Sequence, residues 1–111
     1  MQTSRSLTFL FSLLLTPLSF ADPCNDIAGN WTGRMAGGPI YAQIAKLNNA
    51  VQLEVFSYQS NRRKLFEVHG SCKDAIMDFP DFPGGNLHGS ASASLIMLRA
   101  GASFIELKKV A

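Results

Sequence analysis

Residues 40–56 read Ile40-Tyr-Ala-Gln-Ile-Ala-Lys-Leu-Asn-Asn-Ala-Val-Gln-Leu-Glu-Val-Phe56 and contain two alternating runs joined by two asparagines. In the second run Val51, Leu53 and Val55 fall on one face, with polar side chains between them. This period of two is typical of a strand that is buried on one side only. Asparagine tolerates a positive φ, so the Asn-Asn pair predicts a tight turn. The stretch therefore predicts a β-hairpin.

The same periodicity continues on both sides of this hairpin, and helical periodicity is almost absent. Further predicted strands, separated by turn signals, lie at residues 31–35, 64–69, 75–79, 87–98 and 102–110. The continuous apolar run at residues 95–98 is also compatible with a buried helical turn. We expect an all-β fold: a small antiparallel meander of about seven strands, closed as a barrel or packed as a flattened sandwich.

The first 21 residues have the composition of a secretory signal peptide. Arg5 provides a positive charge, residues 7–18 are mostly apolar, and small residues precede a cleavage point after Ala21. The apolar run is shorter than the roughly 20 residues of a spanning helix, so we expect no stable membrane anchor. We predict cleavage near Ala21, a secreted or periplasmic location, and a single small β domain over residues 22–111.

Length, charge and cysteine content narrow the class of protein. A chain of 111 residues with 47% hydrophobic residues provides one domain with a thin core, which gains from a covalent link. Its net charge of +2 is too small to indicate nucleic-acid binding. Cys24 and Cys72 both lie in the predicted exported part, where an even number of cysteines predicts a disulfide. Their spacing is not the Cys-x-x-Cys of a redox pair.

The first predicted strand begins with Ile27-Ala-Gly-Asn-Trp-Thr-Gly33. Its Gly-x-Trp start resembles that of the lipocalin and calycin superfamily, and in particular the short, signal-bearing calycin-like proteins of bacteria. The resemblance implies a barrel that is plugged at one end by Trp31 and whose mouth accepts an apolar small molecule. It also implies a late basic residue packed over the indole, for which Arg99 is the candidate. A plain core tryptophan is the alternative.

The residue types that catalyse reactions or bind metals form no recognisable pattern. His69 and His88 lack metal-ligand spacing, and no Gly-x-Ser-x-Gly occurs. Asp78 and Asp81 alone do not make a calcium loop. The sequence therefore predicts no metal, no cofactor and no enzymatic activity. Asn30-Trp-Thr32 matches a glycosylation triplet, which matters only in a eukaryotic secretory route.

Two binding functions remain. The first is a carrier that holds an apolar small molecule or acyl chain inside a small barrel. Its candidate ligand contacts are Trp31, Val51, Leu53, Val55, Phe66, Leu95 and Met97.

The alternative is a protein-interaction module, such as a secreted inhibitor or envelope-associated factor. Its loop at residues 78–85 is stiffened by two prolines and would present Phe79 and Phe82 to a partner at little entropic cost. Both rings would otherwise tuck down to seal a barrel end. The basic cluster Arg62-Arg63-Lys64 would assist, or be a solvated tip. A homodimer is a further option if Ile96 and Leu98 lie on an exposed face.

Overall fold

The chain folds into a closed antiparallel barrel, which the computed structural model describes over residues 22–58 and 62–110. A short 3-10 helix at Pro23–Asp26 precedes the barrel. The strands are β1 (Gly29–Met35), β2 (Gly38–Leu47), β3 (Ala50–Ser57), β4 (Lys64–Lys73), β5 (Ile76–Phe79), β6 (Leu87–Ala91), β7 (Leu95–Ala100) and β8 (Ser103–Lys109). Each strand pairs with the next along the chain, and β1 pairs with β8 to close the ring. The predicted signal peptide lies outside the described residues.

The predicted all-β meander is confirmed, and the barrel is the form that it takes. Eight strands are present in the described residues rather than about seven, because the run at 87–98 contains two of them. A turn at residues 92–94 separates β6 from β7, and the Ser92 hydroxyl accepts the backbone N–H of Leu95 at 3.1 Å. This turn is not apparent from the sequence, because residues 90–94 alternate between Ser and Ala and contain neither glycine nor proline, the residues that usually mark turns.

The hairpin at residues 40–56 forms as predicted. Asn48 adopts a φ of 60° in the turn between β2 and β3, which pair from Ile40 with Ser57 to Leu47 with Ala50. Val51, Leu53 and Val55 are buried in the barrel interior. The period of two thus assigned the inner face of β3 correctly.

The inner face predicted for β7 is wrong by one residue. Ile96 and Leu98 are buried, whereas Leu95 and Met97 lie on the outside and Met97 is 52% exposed. In a strand a shift of one residue exchanges the two faces, and a continuous apolar run does not indicate which phase is correct. The exposed face that Ile96 and Leu98 would offer to a homodimer is therefore absent.

Apolar side chains fill the interior of the barrel. The largest fully buried ones come from every strand except β4 and from the segment before β1; they include Ile27, Trp31, Ile40, Leu53, Val55, Met77, Phe79, Leu87, Ile96, Leu98, Ile105 and Leu107. Eight strands enclose a space just wide enough for side chains, unless the barrel is widened for a ligand. No polar or charged residue among the described ones is buried with them.

Inward-facing glycines allow neighbouring strands of the barrel to approach closely. A Cβ atom at Gly33, Gly70 or Gly89 would overlap a backbone carbonyl oxygen of the neighbouring strand. The three oxygens belong to Glu106, Asp78 and Met97 respectively. Glycine inside a strand often marks such a close approach or a tight bend of a barrel. Strands from different parts of the ring therefore bend tightly at positions that only glycine can occupy.

We predict that Gly33→Ala lowers the free energy of unfolding by about 3 kcal/mol or more, because the added methyl group must displace backbone rather than a flexible side chain. Gly37→Ala is the matched control: no atom lies within 4 Å of its added Cβ. Urea unfolding of both variants measures the difference. Equal stabilities would contradict the close packing of β1 on β8.

Candidate functional site

The N-terminal segment, residues 22–28, closes one end of the barrel. Its 3-10 helix is joined to the end of β4 by the Cys24–Cys72 disulfide, as predicted, with a Cα–Cα distance of 5.6 Å. Ile27 and Trp31 are fully buried beneath it, and the indole N–H donates to the Ile27 carbonyl oxygen at 2.8 Å. A buried indole usually finds such a partner. We call this end the plugged end.

Lys109 packs over the plugged end from the last strand. Its ammonium lies 5.1 Å from the centre of the Trp31 ring and donates to the carbonyl oxygens of Asp26 and Ala28. The basic residue over the tryptophan is thus Lys109 and not Arg99, the candidate taken from the resemblance. Arg99 lies on the outer face of β7 because that strand has the opposite phase. The lysine joins the C-terminal strand to the N-terminal segment.

Asp22 makes a third connection at the plugged end. Its carboxylate accepts the backbone N–H groups of Cys24, Asp74 and Ala75 at 3.0, 2.7 and 2.9 Å. Asp74 and Ala75 form the turn between β4 and β5 with φ values of 53° and 69°, which most side chains avoid. The hydrogen bond from Cys24, followed by those from the turn, holds the pKa of Asp22 below its ordinary value of 3.8.

The carrier hypothesis places its ligand inside the barrel. Trp31, Val51, Leu53 and Val55 do converge there, but they are fully or almost fully buried against one another and against other strands. Leu95 and Met97 do not join them, because they face outward. Four depressions in the described part of the chain are open to solvent and lie on the outer surface and at the strand ends.

Two aromatic rings seal the end opposite the plugged end. Phe79 is fully buried as the last residue of β5, and Phe82 is half-buried in the loop that follows. The Phe82 ring meets Phe66 of β4 edge to face, with ring centres 5.3 Å apart. The loop at residues 78–85 thus tucks both of its phenylalanines toward the core. Phe79 has no exposed surface with which to contact a partner. We call this end the sealed end.

Polar contacts hold the sealing loop against the outside of β4. Asp81 accepts the backbone N–H of His69 at 3.0 Å and lies 3.4 Å from its ring Nδ1. The backbone hydrogen bond is the main reason that the pKa of Asp81 is lowered. At the start of the loop, Asp78 accepts the side-chain amide of Asn86 at 2.7 Å. Such exposed contacts orient a loop but contribute little stability.

The basic cluster does not form one patch. Lys64 contacts Glu54 and Glu67 at 2.9 and 2.7 Å, and the hydrogen bond that it donates to Glu67 raises its pKa. Arg62 lies over the ring of Tyr41, with its guanidinium carbon 4.4 Å from the ring centre. Arg63 is exposed. Because two of the three cations already have partners, the cluster offers less free charge than the sequence indicates.

The surface that the sequence did not predict is a groove on the outside of β5, β6, β7 and β8. It has a volume of about 460 Å³, and we call it the outer groove. Its outward side chains are Ile76, His88, Ser90, Met97, Arg99 and Phe104. Three of these are large and apolar, and Ile76, Met97 and Phe104 are 58%, 52% and 37% exposed. The sequence contained one indication of this groove in β8. Phe104 alternates in phase with the charged residues Glu106 and Lys108, so it falls on the same face of the strand as they do.

Other kinds of site find no support among the described residues. No group of three or more His, Cys, Asp or Glu side chains is arranged to hold a metal ion. No helix in residues 22–58 and 62–110 is long and apolar enough to cross a membrane.

The chain matches no protein-family model, no curated protein and no solved structure. The proposals below therefore depend on the geometry of the barrel.

We predict that Lys109→Met lowers the free energy of unfolding by about 1–2 kcal/mol, because it removes an ammonium that contacts the indole and two carbonyl oxygens. Lys108→Met is the control, since Lys108 is exposed on the opposite face of the same strand. Thermal and urea unfolding measure the two variants, and Trp31 fluorescence reports on the indole. A Lys109 variant as stable as the Lys108 variant would contradict the contact.

We predict that Asp22→Asn destabilises the protein at neutral pH and that the difference from wild type shrinks in acid. Since the folded pKa of Asp22 is below 3.8, its stabilising contribution is present above that value. It is lost as the pH falls through the folded pKa. Urea midpoints measured from neutral pH down to about pH 2 test this. Asp26→Asn is the control, because the Asp26 carboxylate bonds to no described residue, and the two variants should differ only above the acid range.

Proposed function

We propose that this chain is an exported, non-enzymatic binding protein that recognises a protein partner through the outside of its barrel. The observation that carries the proposal is the filled interior, since an acyl chain or other apolar ligand of useful size needs an enclosed volume of a few hundred Å³. The same interior gives a rigid outer surface. Rigid surfaces lose little conformational entropy when they bind.

The outer surface offers what such a partner needs. Three of the seven exposed large hydrophobic side chains of the described residues lie together in the outer groove, and exposed apolar clusters on soluble proteins often mark binding sites. The disulfide supports export, because such bonds persist in oxidising compartments. The predicted signal peptide agrees with this location.

A carrier function is the second candidate, and the sealed end favours it. Phe66 and Phe82 are only half-buried there, and their displacement would expose the apolar interior. We also propose a calycin-like relationship. It is supported by the Gly-x-Trp start, by the closed meander and by the position of Lys109 over the indole. To bind a ligand inside the barrel, a carrier would nevertheless have to displace side chains that are packed there.

Native mass spectrometry of the protein purified from its own host separates the two functions. For a protein-binding module we expect a complex with a second polypeptide and no added mass on the free chain. Lysine cross-linking then maps the contact, because Lys108 lies near the outer groove while Lys64 lies at the opposite end of β4 from Lys73, the residue that pairs with Ile76. A free chain that carries an apolar molecule, lost in Phe82→Asp, would overturn the proposal in favour of the carrier.

A further inference from the structure

We infer that the outer groove binds a segment of the partner protein in which a carboxylate side chain lies beside a bulky apolar side chain. This inference rests on the proposed function and assigns it a place and a partner chemistry. The apolar side chain would enter between Ile76, Met97 and Phe104. The carboxylate would pair with Arg99, with His88 as a neighbouring donor.

The strand register brings the apolar and basic residues together. Ile76 lies opposite Ser90, which lies opposite Met97, so that one row crosses β5, β6 and β7. In the next row His88 lies opposite Arg99, which lies opposite Phe104 of β8. Neighbours on one face of adjacent strands have Cβ atoms about 5 Å apart. A ligand of a few residues therefore spans both rows.

The apolar row suits a single bulky side chain. Ile76 and Met97 flank the small Ser90, so a large apolar group from a partner has space between them. Methionine adapts its shape to different ligands because its side chain is unbranched and flexible. Ile76 and Met97 are more than half exposed, and Phe104 is partly exposed beside them. Covering them would remove apolar surface from water.

The basic row has charge that the barrel itself does not neutralise. The side chains of Arg99 and His88 form no ion pair or hydrogen bond with any other described residue. The strand register places two carboxylates beside the groove, and both have other partners: Asp78, opposite His88, accepts the amide of Asn86, and Glu106, opposite Met97, lies 3.5 Å from Arg34. A guanidinium binds a carboxylate through two parallel hydrogen bonds. The groove is therefore complementary to an acidic group.

Two other occupants fit the groove less well. A symmetric dimer would place the same patch on both sides of the interface, so that each copy brings Arg99 and His88, which have no partner among the described residues of the barrel, toward the same basic side chains of the other. An anionic membrane surface is recognised by clusters of about four to eight cations, whereas the groove has two basic residues. A concave apolar surface also receives a protruding side chain better than a flat bilayer. The acidic and apolar segment agrees with both features.

Selection from a phage-displayed library of random dodecapeptides on the folded, disulfide-bonded chain tests this inference. We expect the enriched peptides to share Asp or Glu beside Leu, Ile, Phe or Met. For one such peptide made synthetically, Arg99→Gln and Met97→Ser should each raise the Kd about tenfold. Replacing the acidic residue of the peptide by its amide should have a similar effect, and Arg99→Lys should retain part of the affinity.

Matched variants elsewhere on the barrel are the controls. Leu47→Ser removes another exposed apolar side chain, and Arg63→Gln removes another exposed cation. Both should bind the peptide as wild type does, and equal thermal midpoints show that all variants fold. Backbone amide shifts on peptide addition should concentrate in β6, β7 and β8. Enriched peptides without a carboxylate, no enrichment at all, or unchanged affinity in Arg99→Gln would overturn the inference.

Two further measurements test whether a membrane or a second copy of the chain occupies the groove instead. Sedimentation of the chain with phosphatidylglycerol vesicles that Met97→Ser abolishes would assign the groove to a membrane. A dimer in analytical ultracentrifugation that the same substitution dissociates would assign it to a second copy. Either result would overturn the inference. If cross-linking finds a protein partner at Lys64 instead of Lys108, the proposed function stands and the assignment to the outer groove fails.

Discussion

The close approach of neighbouring strands around the barrel is the constraint on which the rest of the structure depends. Three inward glycines allow neighbouring strands to approach so closely that a methyl group at any of them would overlap backbone. A ring of eight strands that approach one another this closely has room for its own side chains and little else. The apolar residues that would line a ligand cavity in a wider barrel pack on one another here. Binding is therefore best sought on the outside.

A thin core also explains why so many contacts meet at the plugged end. The disulfide, the Asp22 carboxylate and the Lys109 ammonium hold residues 22–28 against parts of the chain that are distant in sequence, and the Trp31 indole bonds to Ile27 from the strand that follows. A small domain gains little from burial alone and benefits from links of this kind. The disulfide closes a span of 48 residues, which restricts the unfolded chain. The segment before β1 is thus part of the barrel and not a tail.

Sequence periodicity predicted the strands well where polar and apolar residues alternate. It gave the correct inner face of β3 and the correct fold class, and the cysteine count gave the disulfide. It failed at β7, where four consecutive apolar residues leave the phase undetermined. The role of Lys109 was also out of reach, because only the β1–β8 pairing brings the last strand over Trp31. Periodicity describes one strand at a time, whereas the phase of β7 and the position of Lys109 over Trp31 depend on how neighbouring strands pair.

The error at β7 had a consequence for function. With Leu95 and Met97 assigned to the interior, the sequence predicted a larger apolar lining and an outer face that could present Ile96 and Leu98. The actual phase buries Ile96 and Leu98 and puts Met97 and Arg99 side by side with residues of β6 and β8. The shift of one residue therefore removes Leu95 and Met97 from the candidate ligand contacts of a carrier. It adds Met97 and Arg99 to the outer groove. Because the groove combines residues from four strands, no single stretch of sequence contains it, and the register of the closed sheet is what creates it.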